Sequence, residues 1–223
     1  MLYSAGRILL LLYAGLMLRM SIQRHGKLPD GPKIFVSNHP SATDPFMIHI
    51  IGRERLNVLI TAKAFSVPVF GWFLRKIREI PVPLEHGNIA LEHAGQSLQN
   101  GRSVAIFIEG ATSPLDGSFL APRTGAARLA LKTGALVIPV GIDLRRDLCT
   151  RIRSKIAGNQ TEGNWYLHGP YAITVGEPMR FKGDIDDHQR VHNVTEAIMQ
   201  QIRLLAHESK YRIHRLKPAA ASL

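Results

Sequence analysis

Short unbroken apolar runs alternate along this chain with stretches whose apolar positions recur at helical spacing. The runs at 33–37, 56–61, 77–82, 104–108, 136–142 and 171–175 read as strands. Between them, 88–100 carries Ile89, Leu91, Ala94 and Leu98 on one helical face and stops at Gly101. A second helix over 125–133 stops at Gly134, and a last one over 184–211 carries Val191, Val194, Ile198, Ile202 and Leu205. Residues 64–75 give a helical signal broken by Pro68 and Gly71. Strands and helices in this order predict an α/β fold, a mostly parallel central sheet flanked by helices. Pro139, inside the 136–142 run, argues for a strand end, a bulge or an edge there. Residues 23–32 read as a linker, and 144–164 as a basic, irregular surface excursion.

The amino-terminal pattern is different. Residues 8–18 are apolar without a break and are bracketed by Arg7 and Arg19. Such a helix spans about 16 Å, roughly half the hydrocarbon core of a bilayer. We expect an apolar helix within residues 1–24 that dips into a membrane as an anchor; the alternative is an apolar helix packed on the domain. No small-x-small cleavage signal follows it.

Composition adds two constraints. Lys and Arg total 28 against 17 Asp and Glu, a formal charge of +11, which calls for an anionic partner. A nucleic acid is not the expected one, because no basic helix interleaved with aromatics and no binding module occurs. The single cysteine, Cys149, excludes an intrachain disulfide and fits a reducing compartment. No Cys/His spacing suits zinc, so no metal is expected.

Chemistry gathers after the first interior strand, in Asn38-His39-Pro40-Ser41-Ala42-Thr43-Asp44-Pro45. Asp44-Pro45 reads as a helix start, Asp as N-cap and Pro at the first helical position. His39 then sits in a strand-to-helix loop, where α/β proteins place ligands. Its imidazole suits proton transfer near neutral pH, and Asp44 can return to the ring if the loop curls. A lone loop histidine is most often a packing residue and Asp before Pro most often a cap, so the pair needs support from elsewhere. Glu109 follows the strongest strand, and Arg123 precedes the 125–133 helix. In a parallel sheet these loops share one edge, so His39, Glu109 and Arg123 can meet in one cleft. Arg123 near a helix amino end would suit a phosphate.

These blocks resemble those of a known family. Residues 38–44 resemble the NHX4D block of the glycerolipid acyltransferases, the lysophosphatidic acid acyltransferase (PlsC-type) family. Ala62-Lys63, Pro68 and Gly71 look like the stretch between its first two blocks, and residues 107–113 (FIEGATS) look like its FPEGTRS block. Arg123-Thr124-Gly125 looks like the basic residue and glycine opening the next helix. Val137-Ile138-Pro139-Val140 and Gly176-Glu177-Pro178 look like its VxPV block and final GEP turn. The likeness covers roughly residues 30–180.

The resemblance implies a glycerol-3-phosphate acyltransferase-like fold, with an anchor over 1–24, an acyltransferase domain over 25–212 and a basic tail over 213–223. It implies transfer of a fatty acyl group from acyl-CoA or acyl carrier protein to a lysophospholipid hydroxyl, most readily that of 1-acylglycerol-3-phosphate, with no further cofactor. It places His39 and Asp44 in catalysis and Glu109, Gly110, Thr112, Arg123 and Lys63 at the substrate. Backbone amides around Gly110 are the expected oxyanion donors. The partners implied are membrane lipids and the donor, and the location is the cytoplasmic face of the cell membrane. Two departures bear on the acceptor: Thr112 stands nearest the block's arginine, and Pro83-Leu84 stands where the family has an Asp-Arg or similar pair after the third strand run. A different lysolipid acceptor, or a non-enzymatic basic membrane-binding protein, are the alternatives. A serine hydrolase is not expected, since no G-x-S-x-G elbow occurs.

Overall fold

The computed structural model describes residues 2–52, 54–156 and 159–215. Nine strands and six α-helices are described: α1 Leu2–Leu16, β1 Leu18–Arg24, β2 Lys33–Ser37, α2 Asp44–Met47, β3 Leu56–Thr61, α3 Pro68–Ile77, β4 Ile80–Val82 and α4 Gly87–Gln99. They continue with β5 Ser103–Phe107, α5 Gly125–Thr133, β6 Leu136–Leu144, β7 Thr150–Ile156, β8 Asn159–Trp165, β9 Gly169–Val175 and α6 His188–Arg215. Seven strands form one sheet in the order β1-β9-β6-β2-β5-β3-β4. Every neighbouring pair is parallel except β6 with β9. The α/β fold with a mostly parallel sheet is therefore the one expected from the pattern.

Apolar clusters cover both faces of the sheet. One gathers Phe35, Val58, Phe107, Ile138 and Tyr171 under α1 and α2; the other gathers Ile34, Val36, Ile106 and Val137 under α4, α5 and α6. Alternate residues of one strand enter opposite clusters, so β2 and β5 are buried throughout. The long helix α6 lies so close to β6 that a Cβ on Gly141 would stand 2.1 Å from Ala206 N. Ser209 Oγ donates to Gly141 O at 2.9 Å across that contact.

Several expectations need correction. Residues 18–24 do not continue the amino-terminal apolar helix expected over 1–24: β1 pairs in parallel with β9 at the sheet edge. The excursion at 144–164 is not irregular, because β7 and β8 form an antiparallel hairpin. Strand β4 begins only at Ile80, since Arg78 takes a left-handed conformation that ends α3. Pro139 lies in an interior strand, opposite Val36 on β2. Its carbonyl accepts Gly176 N–H at 2.9 Å, so its nitrogen faces the same side, where the ladder with β9 has ended. Proline removes no ladder bond there. The basic tail splits: α6 continues through Arg215, and residues 216–223 lie outside the described residues.

Helix α1 docks by one face and exposes the other. Ala14 is buried, and Arg7 Nη2 donates to Gly52 O at 2.6 Å. Ile8, Leu9, Leu11, Leu12 and Leu16 are exposed, Leu16 by 82%. Among the described residues, no helix is long and apolar enough to cross a membrane.

Candidate active site

The carboxyl ends of β2 and β5 carry the two turns that make the site. Beyond Ser37 the ladder between β2 and β6 is continued by a side chain. Asn38 Nδ2 donates to Ile142 O and Asn38 Oδ1 accepts Ile142 N–H, both at 2.8 Å. This pins the chain where it leaves the sheet, and His39 follows at once.

The loop curls back as the spacing allows. His39 Nδ1 lies 3.0 Å from Asp44 Oδ2, and the same oxygen accepts Ser41 N–H at 2.7 Å. Asp44 is wholly buried, whereas 14% of the His39 side chain is exposed. Asp44 is not the N-cap: Thr43 holds that position, and Asp44 is the first residue of α2 with its carboxylate turned toward the imidazole. Its second oxygen accepts the Tyr171 hydroxyl at 2.7 Å. Burial, and next the Asp44 carboxylate, raise the Tyr171 hydroxyl well above its ordinary range, so Tyr171 donates. The His39 ring stacks on Phe107, centroids 4.3 Å apart. With Nδ1 facing Asp44, Nε2 is the nitrogen left for a substrate proton.

Glu109 comes to the same place in another role. Its Oε1 accepts His39 N–H at 3.0 Å and Ser113 Oγ at 2.6 Å, and its Oε2 accepts Leu120 N–H at 2.7 Å. Ser113 N–H in turn donates to His39 O at 2.7 Å. The carboxylate is 2% exposed and filled by its own chain, so it clamps the two turns together. The expected direct bond to an acceptor hydroxyl is not its geometry.

Gly110 has φ +71°, and a Cβ there would stand 2.5 Å from Arg123 Nε. The glycine thus lets the exposed Arg123 side chain lie across the turn after Glu109. Arg123 N–H donates to Ile108 O at 2.8 Å. Gly110 N–H is committed to Phe107 O at 3.1 Å, so it is not an oxyanion donor as the turn stands. Among the described residues, no protein acceptor takes the N–H of Ala111 or Thr112. Half-buried Thr112 stands in that turn, whereas Lys63 is exposed in a short 3-10 turn and has no described contact with His39, Asp44 or Glu109.

Strand pattern alone missed the hairpin's part. Ala42 N–H and Ser41 Oγ donate to Asn164 O at 2.8 and 3.1 Å. Thr43 Oγ1 donates to Tyr166 O at 2.9 Å and accepts Tyr166 N–H at 3.0 Å. The end of β8 therefore straps the His39–Asp44 loop. Burial pushes the Cys149 thiol up to about 11, so it is protonated at neutral pH and supplies no thiolate. Among the described residues, no cluster of three His, Cys, Asp or Glu could hold a metal.

An apolar cavity of about 330 Å³ lies beside the site between α1, α2 and α3. Leu10, Tyr13, Phe46, Ile60, Phe73 and Leu74 line it, and His49 and Glu79 stand in its wall. Phe46 stacks toward Trp165 at 6.2 Å between centroids.

Comparison with known proteins identifies the scaffold. The chain is 33% identical over 136 residues to the Lyso-ornithine lipid O-acyltransferase of Pseudomonas aeruginosa, covering 58% of this chain and 50% of that protein. It is 29% identical over 128 residues to a chloroplastic 1-acyl-sn-glycerol-3-phosphate acyltransferase of Arabidopsis thaliana, covering 55% and 35%. The matched stretch thus spans a third to a half of the length of these relatives. The crystal structure of the 1-acyl-sn-glycerophosphate acyltransferase PlsC from Thermotoga maritima shares the fold, with TM-score 0.66 at 21% identity over 94% of this chain and 78% of that one. Residues 19–143, which hold the His39–Asp44 loop and the Glu109 turn, match the model of the Acyltransferase family, and this chain belongs to that family among its PlsC-type glycerolipid acyltransferases.

Proposed function

We propose that this chain transfers a fatty acyl group from a thioester donor to the hydroxyl of a lysolipid, with His39 as general base. The carrying observation is the aligned His39 Nδ1 to Asp44 Oδ2 contact, with Asp44 buried and held also by Ser41 and Tyr171. Asp44 accepts from Nδ1, which fixes the tautomer and offers the Nε2 lone pair to the acceptor hydroxyl. His39 takes that proton as the acceptor oxygen attacks the thioester carbonyl. The C–O bond forms, the C–S bond breaks, and the thiolate leaves with the proton from Nε2. The imidazolium that exists in between lies against the Asp44 carboxylate. Proton transfer of this kind contributes ~10²–10⁴ in rate. The N–H groups of Ala111 and Thr112 are the open donors for the developing oxyanion.

The apolar cavity between α1 and α3 suits an acyl chain. For the acceptor, 1-acylglycerol-3-phosphate is the first reading. The Pseudomonas relative named for lyso-ornithine lipid and the cation-free sequence Glu109-Gly110-Ala111-Thr112-Ser113 favour a second, an acceptor with another headgroup. A labelled acyl thioester, as acyl-CoA or on acyl carrier protein, offered with a panel of lysolipids decides between them. Turnover of none removes the enzymatic reading and leaves a membrane-binding protein.

We also propose that the exposed face of α1 seats on the cytoplasmic face of the membrane. Its 15 residues measure about 22 Å, too short to cross a core of about 30 Å. Each Lys or Arg near an anionic leaflet adds about 1 kcal/mol. Leu12→Ser with Leu16→Ser changes two exposed side chains and should abolish flotation with anionic liposomes; unchanged flotation refutes the seat.

A further inference from the structure

A second cleft opens at the sheet edge that carries His39, on the face covered by α6. It measures about 460 Å³ and is walled by the end of β6, by Gly117 and Phe119, and by the carboxyl half of α6. Since β6 runs parallel to β2, its end lies at the edge where ligands bind in such sheets. Asn38 lines the cleft, one residue before the proposed base. Arg146, on its wall, donates from Nη1 to Pro114 O at 3.0 Å and so touches the turn clamped by Glu109.

The charges in the cleft are asymmetric. Two of its three carboxylates are held by hydrogen bonds, and the third, Asp143, is opposed by Arg146 and Lys210. Asp116 accepts Ser118 N–H and Oγ at 2.8 and 2.6 Å. Asp147 accepts Arg145 Nε at 2.8 Å. Asp143 lies 3.9 Å from Arg146, and burial pushes it up to about 6. Opposite them, α6 presents Arg203, His207, Lys210 and His214. Their spacing of four, three and four residues is one helical face. None of the four is in an ion pair among the described residues, and Arg203 lies 5.9 Å over the Phe119 ring. Cations in a last helical turn complement the helix dipole, but Arg203 and His207 stand more than a turn before the end of α6 at Arg215. The helix dipole does not account for them.

The reaction proposed above, on which this inference rests for its ligands, uses two substrates that carry phosphate, whereas residues 109–113 carry no cation of their own and Arg123 alone lies across that turn. We propose that the α6–β6 cleft binds a phosphate group of one of the two substrates. The group is either the nucleotide end of coenzyme A on the donor or the phosphate headgroup of the acceptor. The forked donors of Arg203 and the mobile ammonium of Lys210 suit phosphoryl oxygens.

The test is Arg203→Gln combined with Lys210→Gln, two exposed side chains with no hydrogen bond to lose. Free coenzyme A and glycerol 3-phosphate are titrated separately into wild type and variant by calorimetry, and KM is measured for donor and acceptor. We expect binding of one ligand, and the matching KM, to weaken by roughly tenfold or more, the size of one charge-assisted hydrogen bond, at unchanged kcat and Tm. A loss confined to coenzyme A assigns the donor; a loss confined to glycerol 3-phosphate assigns the acceptor. Wild type that binds neither, or a variant that binds both as wild type does, overturns the proposal. The titration needs no turnover. Coenzyme A binding that the double substitution abolishes, in a protein that transfers nothing, keeps the cleft and sinks the acyltransferase reading. Turnover with both affinities and both KM values unmoved does the reverse.

Discussion

Two histidine–carboxylate pairs stand in this chain, their histidines ten residues apart, and only one leaves a ring nitrogen without a protein partner among the described residues. In the first, His39 offers Nδ1 to Asp44 in hydrogen-bond geometry at 3.0 Å and keeps Nε2 toward the site. In the second, His49 Nε2 stands 2.8 Å from Glu79 Oε1, and its Nδ1 is 3.4 Å from the Tyr3 hydroxyl. The closer contact is the poorer bond: Glu79 Oε1 has no donor in hydrogen-bond geometry despite the short distance. Both His49 nitrogens face protein groups and not a cleft, the ring is 7% exposed, and Glu79 also takes Val58 N–H in the adjoining strand. The difference teaches that distance to a carboxylate does not define a base. What matters is which nitrogen the carboxylate takes and whether the other can reach a substrate.

Crossing the two pairs is the strongest way to break this distinction. His39→Ala should reduce kcat by ~10²–10⁴ and leave Tm within a few degrees, because the loop around it is held by main-chain bonds to Glu109 and Ser113. His49→Ala should do the opposite. It opens a cavity beside the buried Glu79 and removes the ring packed against it, a loss of about 2–4 kcal/mol, read as a fall in Tm with kcat unchanged. Thermal melts and initial rates on the same two proteins are sufficient. Should His49→Ala lose turnover while keeping its Tm, the assignment of roles is reversed.

The first pair was legible in the sequence and the second was not. His39, Asp44, Glu109 and Arg123 stand in loops that follow apolar runs, so their order alone placed them at one sheet edge. His49 follows an apolar helix start, and Glu79 lies in a run read as strand, 30 residues on; nothing local joins them. Strand β1 does alternate, Leu18, Met20 and Ile22 against Arg19, Ser21 and Gln23, but the apolar run of α1 continues into Leu18 and masks the change of period. The β7–β8 hairpin was hidden because Arg151, Ile152 and Arg153 are all exposed, so that stretch of β7 shows no alternation of buried and exposed positions. Tyr171 looked like one more core aromatic in an apolar run. Its hydroxyl meets Asp44 only through the antiparallel approach of β9 to β6, a long-range pairing that spacing does not reveal.

A partly buried carboxylate sharpens the comparison by having no imidazole. Arg146 lies 3.9 Å from Asp143 and Lys210 also acts on it, yet burial raises it from 3.8 to about 6. Between those two values the folded chain holds a proton that the unfolded chain has shed, so Asp143 makes stability fall as pH rises through that window. Above pH 6 this amounts to about 3 kcal/mol at most. Asp143→Asn should therefore raise Tm at pH 7.5 and have little effect near pH 4. Melts of both proteins across that range check it; a parallel pair of curves would show that Asp143 is fully compensated, as Asp44 is.

The smallest expected effect belongs to Tyr171, whose hydroxyl supports the proposed catalytic pair through Asp44. Its hydroxyl fills the Asp44 oxygen that faces away from His39. Tyr171→Phe keeps the ring packed in the core and removes one hydrogen bond, worth about 1 kcal/mol net. If the hydroxyl serves only to satisfy a buried carboxylate, Tm falls and kcat does not. If it holds Asp44 in line with Nδ1, the aligned contact that separates His39 from His49 loosens. Then kcat falls roughly fivefold at constant KM, since the loss is felt where the imidazolium forms. We expect the second result. A variant that loses only Tm would place the alignment wholly in the Ser41 main-chain bond to Asp44 Oδ2, and the distinction between the two pairs would rest on the loop alone.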